Sequence, residues 1–408
     1  MKILVVTPGA PTLMSGGGKR NSYLLRALCE AHQVTLLIVS DDTACTVRDI
    51  GSLQADLEAA RVVRAPLGVY KRVWQLVAGI SGQPSVTLRF SPPAAGRAIR
   101  ALLAAERFDA VVYQSVIVAN HRLPPGVRMV IDEHNLEYEL MERSAAKAPS
   151  TLRRLHYTLE AAALKRVELG LLARADLVSV TSERERELLA EILPGARVIV
   201  TPNGVDTEAF APDLKRAETA GRVIFTGSMD YHPNEQAAHY FASSIWPQVR
   251  AEVPDATWYL VGARPPASFE RLATLPGVTV TGPVAETQPY MAEAAVAIAP
   301  LLVGGGTRLK ILEALAMGKA VVTTSLGCEG LDVTSGEHLL VADEPGAFAE
   351  AVVSLLHDEA RRSRLGAAGR ALVEREYSWT RSGRALVQAV ERCATAQEEE
   401  RRVAVADD

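Results

Sequence analysis

Cysteine is scarce in this chain of 408 residues, long apolar runs are missing, and neither sign of charge dominates. The four cysteines, Cys29, Cys45, Cys328 and Cys393, are scattered without paired or metal-type spacing, as expected of a reduced cytosolic protein, and no zinc site is encoded by cysteine. No run approaches the roughly 20 apolar residues of a spanning helix, and the opening Met1-Lys2-Ile3-Leu4-Val5-Val6-Thr7-Pro8 is too short for a secretion signal. A cytoplasmic chain is expected. The formal charge of −4 is divided mildly, with 25 Lys/Arg against 22 Asp/Glu in residues 1–210 and 19 against 26 in the remainder. That balance disfavours nucleic acid as a main partner. Basic spots such as Lys71-Arg72 and Arg153-Arg154 suit a weak peripheral contact with the inner face of an anionic membrane, although a solvated helix face is the commoner reading of such runs. No short repeat or low-complexity tract occurs.

With 48% hydrophobic and 23% charged residues, the composition is that of a folded globular protein, and its length exceeds one ordinary core. Short β-branched runs alternate with helical patterns, which predicts parallel sheets of βαβ type. Strands are expected at 2–7, 33–39, 109–113, 128–132, 177–180 and 197–200, and again at 222–226, 256–261, 278–281, 296–299 and 320–323. The alternation breaks within 205–220, where Pro212 and a polar run mark a linker. The expected fold is therefore α/β, two doubly wound Rossmann-like domains (1–210 and 211–377) facing a central cleft, with ligands at the carboxyl ends of the strands. A helical pattern runs from Leu136 to Leu172 with Pro149 as a break. The segment 379–395 reads as a last helix, and 396–408 as a disordered tail.

The most telling stretch is Gly304-Gly305-Gly306-Thr307-Arg308-Leu309-Lys310-Ile311-Leu312-Glu313-Ala314. A buried strand precedes it, and Thr307 is placed to cap a helix that ends at Gly318. Helix N-termini carry partial positive charge and unpaired N–H groups, so Arg308 and Lys310 there cost up to about 1 kcal/mol each unless an anion is present. Glycine amides, a helix start and two cations together suit a phosphate or diphosphate. Glu313 lies six residues beyond Thr307, roughly 9 Å along the helix, the reach from a diphosphate to a ribose diol. Its alternative is a solvent-facing pair with Lys310 at i,i+3.

Other loops at the expected cleft carry further candidates. His134, in Asp132-Glu133-His134-Asn135, falls just past a strand end, with Asn135 placed to cap the next helix; Glu133, Glu137 and Glu139 read as first-turn residues favouring the helix dipole. Gly16-Gly17-Gly18 lies in the loop before a helix starting near Lys19, without the GxGxxG spacing of a dinucleotide fingerprint, so a dehydrogenase is disfavoured. Asn203-Gly204 is a turn signal. Amides of Gly227-Ser228 could reach a phosphate, the backbone around Val284 a base, and Tyr290 could stack.

Taken together these motifs resemble the family 4 glycosyltransferases of GT-B fold, over essentially the whole chain: Gly16-Gly17-Gly18, Asp132-Glu133-His134-Asn135-Leu136-Glu137, Pro202-Asn203-Gly204-Val205-Asp206, Phe225-Thr226-Gly227-Ser228-Met229, Gly282-Pro283-Val284 and Gly306-Thr307-Arg308-Leu309-Lys310-Ile311-Leu312-Glu313-Ala314. The resemblance implies retaining transfer of a sugar from a nucleotide-diphosphate sugar, UDP-linked by expectation, to a glycan, lipid-linked or small natural-product acceptor. It implies donor binding by the C-terminal domain, acceptor binding by the N-terminal domain, and a last helix (378–395) crossing back to the first domain. Carried over to this chain, it gives catalytic roles to His134, Arg308 and Lys310, and donor contacts to Gly17, Gly18, Gly227, Ser228, Val284, Gly305, Gly306, Thr307 and Glu313. No resident cofactor or metal is implied. Two departures stand out. Gly305 occupies the place of the first glutamate of the family's two-glutamate motif, and Gly227-Ser228-Met229-Asp230-Tyr231-His232 lacks the Arg and Lys common in that loop, a pattern shared with a branch resembling exopolysaccharide sugar transferases. A sugar-nucleotide 2-epimerase of the same architecture, or a non-catalytic nucleotide-sugar-binding subunit, is the alternative.

Overall fold

The computed structural model describes all residues except Met14, Asp41, Thr43, Ala44, 65–82, Pro149, Leu214, Gly305, Gly306, Asp407 and Asp408. The chain divides into two units, Met1–Pro202 with the chain from Thr380 on, and Asn203–Trp379. The break falls at Pro202/Asn203, ahead of the expected 210, because Val205 is held by the backbone near the end of the second unit: its N–H donates to the Tyr377 carbonyl at 2.7 Å, and it bridges Ser378.

Among its described residues the first unit is built on seven parallel strands: β1 (Lys2–Pro8), β2 (Gln33–Ser40), β3 (Ala59–Arg64), β4 (Ala110–Gln114), β5 (Arg128–Asp132), β6 (Leu177–Val180) and β7 (Val198–Val200). Their order is β3-β2-β1-β4-β5-β6-β7, so the winding reverses between β1 and β4. Strand alternation sends Leu4 and Val6 with Leu37, Val111 and Ile131 into one apolar layer, and Ile3 and Val5 with Leu36, Val112 and Val130 into the other. Both faces are covered, which is why these strands read as continuous apolar runs. β3 escaped the sequence reading: Ala59-Ala60-Arg61 offers too little apolar alternation on this edge strand.

The second unit carries β8 (Arg222–Thr226), β9 (Thr257–Val261), β10 (Val278–Gly282), β11 (Val296–Ala299), β12 (Ala320–Thr323) and the two-residue β13 (Leu340–Val341), in the order β10-β9-β8-β11-β12-β13, all parallel. Here too the two faces separate cleanly. Val223, Phe225, Trp258, Leu260 and Ile298 enter one core, and Ile224, Val261, Ala297, Ala299 and Val321 the other.

The last helix, Trp379–Ala406, continues past 395, where the apolar pattern fades, so the backbone of 396–406 is helical where a disordered tail was expected. It buries Leu386, Ala389, Val390 and Cys393 against Leu24, Leu25 and Leu28 of the helix Gly16–Ala31. Gly383 is required at that crossing, since a Cβ there would lie 2.5 Å from the Ala27 Cβ.

Candidate active site

In the second unit the winding reverses between β8 and β11, so the loops leaving these strands flank the crevice where doubly wound sheets take ligands. Three glycines shape the loops. Gly227, at φ +152°, sits so close to its neighbours that a Cβ would lie 2.7 Å from Asn234 Nδ2 and 3.2 Å from Lys310 Nζ. A Cβ on Gly262 would stand 1.8 Å from the Gly227 carbonyl oxygen, and one on Gly304 3.0 Å from Arg308 Nη2. Bare backbone thus lines the approach to the two cations.

The helix that carries them is Leu309–Ala316, with Arg308 in the N-cap position. Thr307 therefore does not cap it, contrary to the expectation from the sequence. Its hydroxyl is buried and has no partner among the described residues, while its carbonyl accepts from Asn203 Nδ2 at 3.4 Å. Arg308 is 8% exposed and donates from Nη2 to the Leu326 carbonyl at 3.3 Å. Lys310 Nζ donates to Asn234 Oδ1 at 2.6 Å and lies 4.0 Å from the centre of the Phe225 ring. Asn234 is itself held by donating from Nδ2 to the Ser228 carbonyl at 2.8 Å. Burial, with the Arg308 charge adding to it, lowers the Lys310 ammonium to about 7. Glu313 is 9% exposed, which rules out a solvent-facing Lys310–Glu313 pair. Val284 packs in the same apolar cluster as Leu309 and Tyr290. Gly305 and Gly306 lie outside the described residues, as do Lys71, Arg72 and Pro149.

In the first unit the glycine run does not form a loop. Ser15 caps the helix Gly16–Ala31 by accepting the Gly18 N–H at 3.1 Å, so all three glycines form the first turn. Gly17 faces His134, whose Nδ1 would lie 3.4 Å from a Cβ at that position, whereas Gly18 is turned toward the Thr12 carbonyl oxygen, 2.4 Å from its would-be Cβ. Gly17 and His134 are brought together; Gly18 serves the close turn.

His134 Nε2 is 3.8 Å from Asp132 Oδ2, too far for a hydrogen bond, and has no partner among the described residues. Burial lowers its pKa to about 4, with Asp132 opposing and Arg20 assisting, so the ring is neutral near pH 7. Asp132 is held from below by Arg20, which donates from Nε at 2.9 Å and from Nη2 at 2.5 Å, and by the Ser179 hydroxyl at 2.7 Å. Arg20 Nη1 also donates to the Thr201 carbonyl at 2.8 Å. Both members of the ion pair are essentially sealed from solvent.

Of the acidic residues around His134, Glu137 and Glu139 lie in the first turn of the next helix, as expected, whereas Glu133 lies ahead of it. Asn135 caps nothing. The helix Glu137–Ala146 starts after Leu136, and its first N–H groups are taken by Glu168, whose two carboxyl oxygens accept from Glu137 N at 2.8 Å and Tyr138 N at 2.9 Å. Glu139 forms a two-pronged pair with Arg184 at 2.8 and 2.9 Å. Glu133 is buried, and neither of its oxygens has a partner among the described residues. Burial first, then the nearby Glu168, holds its carboxyl well above the usual range, and Glu168 rises to about 8 mainly through burial. Sequence reasoning missed Arg20, Asn234 and Gly262. None has a spacing signal, because each acts on a residue brought near only by folding. Among the described residues no group of His, Cys, Asp or Glu is arranged to hold a metal ion.

Two Rossmann-like α/β units, the second with a cationic site at its switch point, define the architecture class. A family model described as glycosyltransferase family 4 matches residues 14–209, and one described as glycosyl transferases group 1 matches residues 220–358. The chain belongs to the family 4 glycosyltransferases. It is similar to the GDP-mannose-dependent monoacylated alpha-(1-6)-phosphatidylinositol monomannoside mannosyltransferase of Corynebacterium glutamicum, 31% identical over 205 residues, 45% of this chain and 54% of that protein. It spans about half the length of most of the curated relatives it matches. Sucrose-phosphate synthase from Thermosynechococcus elongatus shares the fold with TM-score 0.74 at 18% identity, covering 97% of this chain and 100% of that one. The Anabaena protein HepE, solved with UDP and glucose, does so with TM-score 0.62 at 13% identity, covering 96% and 99%.

Proposed function

We propose that this protein is a retaining glycosyltransferase that moves a sugar from a nucleotide-diphosphate sugar to a glycan, lipid-linked or small natural-product acceptor, as a cytoplasmic enzyme. One observation carries the reading: Arg308 and Lys310 stand together at a helix start, beside backbone that Gly227 and Gly304 keep bare, at the switch point of the second sheet. Lys310 is tethered to a neutral amide, so a diphosphate would bring its ammonium a counter-charge.

In this reading Arg308 and Lys310 take the charge that develops on the β-phosphate, and Thr307 and the amides of Gly305, Gly306, Gly227 and Ser228 contact the phosphates. Glu313 takes the ribose diol, and the backbone at Val284 the base. His134, neutral and with its Nδ1 edge toward the face that Gly17 leaves bare, hydrogen-bonds the donor sugar near the reacting carbon. The C1–O bond to the diphosphate breaks while a C1–O bond to the acceptor forms on the same face. The acceptor hydroxyl proton passes to the departing diphosphate oxygen, so no protein nucleophile is needed. The protein contributes orientation and charge stabilisation. With Gly305 in place of a glutamate, the sugar hydroxyl contact is replaced by backbone amides or lost, which makes the sugar the less predictable part of the donor.

The test is thermal stabilisation by a panel of UDP- and GDP-sugars and free nucleotides, with Glu313→Ala as control. Stabilisation by one base, lost in the variant, supports the donor site; no stabilisation by any nucleotide overturns it. Arg308→Ala, folded, should lose turnover by roughly 10²-fold or more, and near-normal turnover would remove that role.

A further inference from the structure

Among the described residues, three of the five large apolar side chains most open to solvent crowd into two turns of one helix: Leu152 at 78%, Leu155 at 56% and Leu159 at 63% exposure. They belong to the helix Thr151–Leu172, whose buried residues begin only at Ala161, so its first turns project from the core. The i, i+3, i+7 spacing puts all three on one face. This helix packs against the preceding helix Glu137–Ala146, and the exposed leucines lie at the end where the chain turns from one to the other.

The same end is basic. From Arg143 to Leu159 the chain carries Arg143, Lys147, Arg153 and Arg154 and no Asp or Glu. Lys147, Arg153 and Arg154 form no ion pair among the described residues, whereas the acids that bound this stretch are engaged: Glu142 pairs with Lys165, and Glu160 accepts from the Ser85 backbone and hydroxyl. An apolar stripe bordered by cations that form no ion pair among the described residues, in a stretch without Asp or Glu, matches an interface of lipid chains below anionic headgroups. We propose that the tip of this helical hairpin docks on an anionic phospholipid bilayer, with Leu152, Leu155 and Leu159 entering the headgroup layer and Lys147, Arg153 and Arg154 holding the lipid charges. The proposal concerns a surface and does not depend on the transfer chemistry. Arg153-Arg154 is then one edge of a built patch rather than a solvated helix face, because the leucines beside the exposed arginines are exposed too.

The experiment is co-sedimentation of the full chain with vesicles of phosphatidylcholine and phosphatidylglycerol, against phosphatidylcholine alone, at low salt. Binding is expected only to the anionic vesicles. R153Q/R154Q should weaken it about 30-fold, at roughly fivefold per basic side chain, and L152Q/L155Q/L159Q by about 100-fold or more. All five positions are exposed, so the variants should keep the wild-type circular dichroism and melting temperature. Absence of binding to anionic vesicles overturns the proposal. So does an unchanged affinity in the leucine variant, or a dimer in solution that the leucine variant dissolves, which would assign the patch to a second copy of the chain.

Discussion

Donor binding should draw a proton from solution through one side chain. Burial and the Arg308 charge hold the unliganded Lys310 ammonium at about 7. At pH 8 roughly nine-tenths of the molecules then carry it neutral, and at pH 6 roughly one-tenth. A nucleotide sugar is a diphosphate diester whose two charges do not titrate in this range, so the ligand contributes no proton of its own. Two negative charges against Nζ should raise the pKa by 2 units or more. Binding at pH 8 should therefore take up about 0.9 proton, and at pH 6 about 0.1, with the apparent Kd rising about tenfold between them. Isothermal titration calorimetry in two buffers of different protonation enthalpy reads the proton number directly. Lys310→Met should bind more weakly and show no such uptake. An uptake near zero at pH 8, or one that survives in Lys310→Met, would refute the placement of the diphosphate at Lys310. The sign for the unliganded protein is opposite in appearance but has the same origin. The folded pKa of about 7 lies below the unfolded 10.5, so between these values the unfolded chain holds more protons and this group's contribution to stability rises with pH. Lys310→Met should flatten that part of the melting profile.

Further tests address the scaffold. Asp132→Asn leaves the Arg20 guanidinium buried without its counter-charge, and should cost about 3–5 kcal/mol in urea unfolding; a loss below about 1 kcal/mol would mean that the pair relaxes to water. Glu168→Ala strips the partner from the Glu137 and Tyr138 N–H groups and should destabilise by about 1–3 kcal/mol for each N–H left buried. Glu168→Gln, which keeps one acceptor, should lose less. Gly227→Ala drives a Cβ to within 2.7 Å of Asn234 Nδ2. It should cost about 1–3 kcal/mol in stability, and its displacement of Asn234 and Lys310 should weaken nucleotide binding further, which thermal shift with and without ligand separates.

Much of the fold was legible because sheet strands covered on both faces must be apolar along their whole length. Strand β5 at 128–132, β6 at 177–180, β8 at 222–226, β11 at 296–299 and β12 at 320–323 lie where the apolar runs placed them. The elements that escaped are the edge strands β3 and β13, one weakly patterned and the other two residues long, which lean on a single neighbour. Helix starts were read less well. Local capping rules point to Thr307 and Asn135, and the glycine loop to a start near Lys19, but the actual starts are set by Arg308, by a carboxylate 31 residues away, and by Ser15.

The chain's own order of residues was enough to establish two parallel α/β units, the cationic helix start at 308–310 and the histidine at the end of β5, because apolar period, glycine runs and charge position are local properties of a sequence. Folding alone determined that Lys310 is tethered to Asn234 with its pKa near neutral, that Arg20 supports Asp132 beneath His134, that Glu133 and Glu168 are buried carboxyls, and that three leucines of one helix remain in solvent. Burial and pairing depend on which groups distant in sequence share a few ångströms of space, and that is a property of packing.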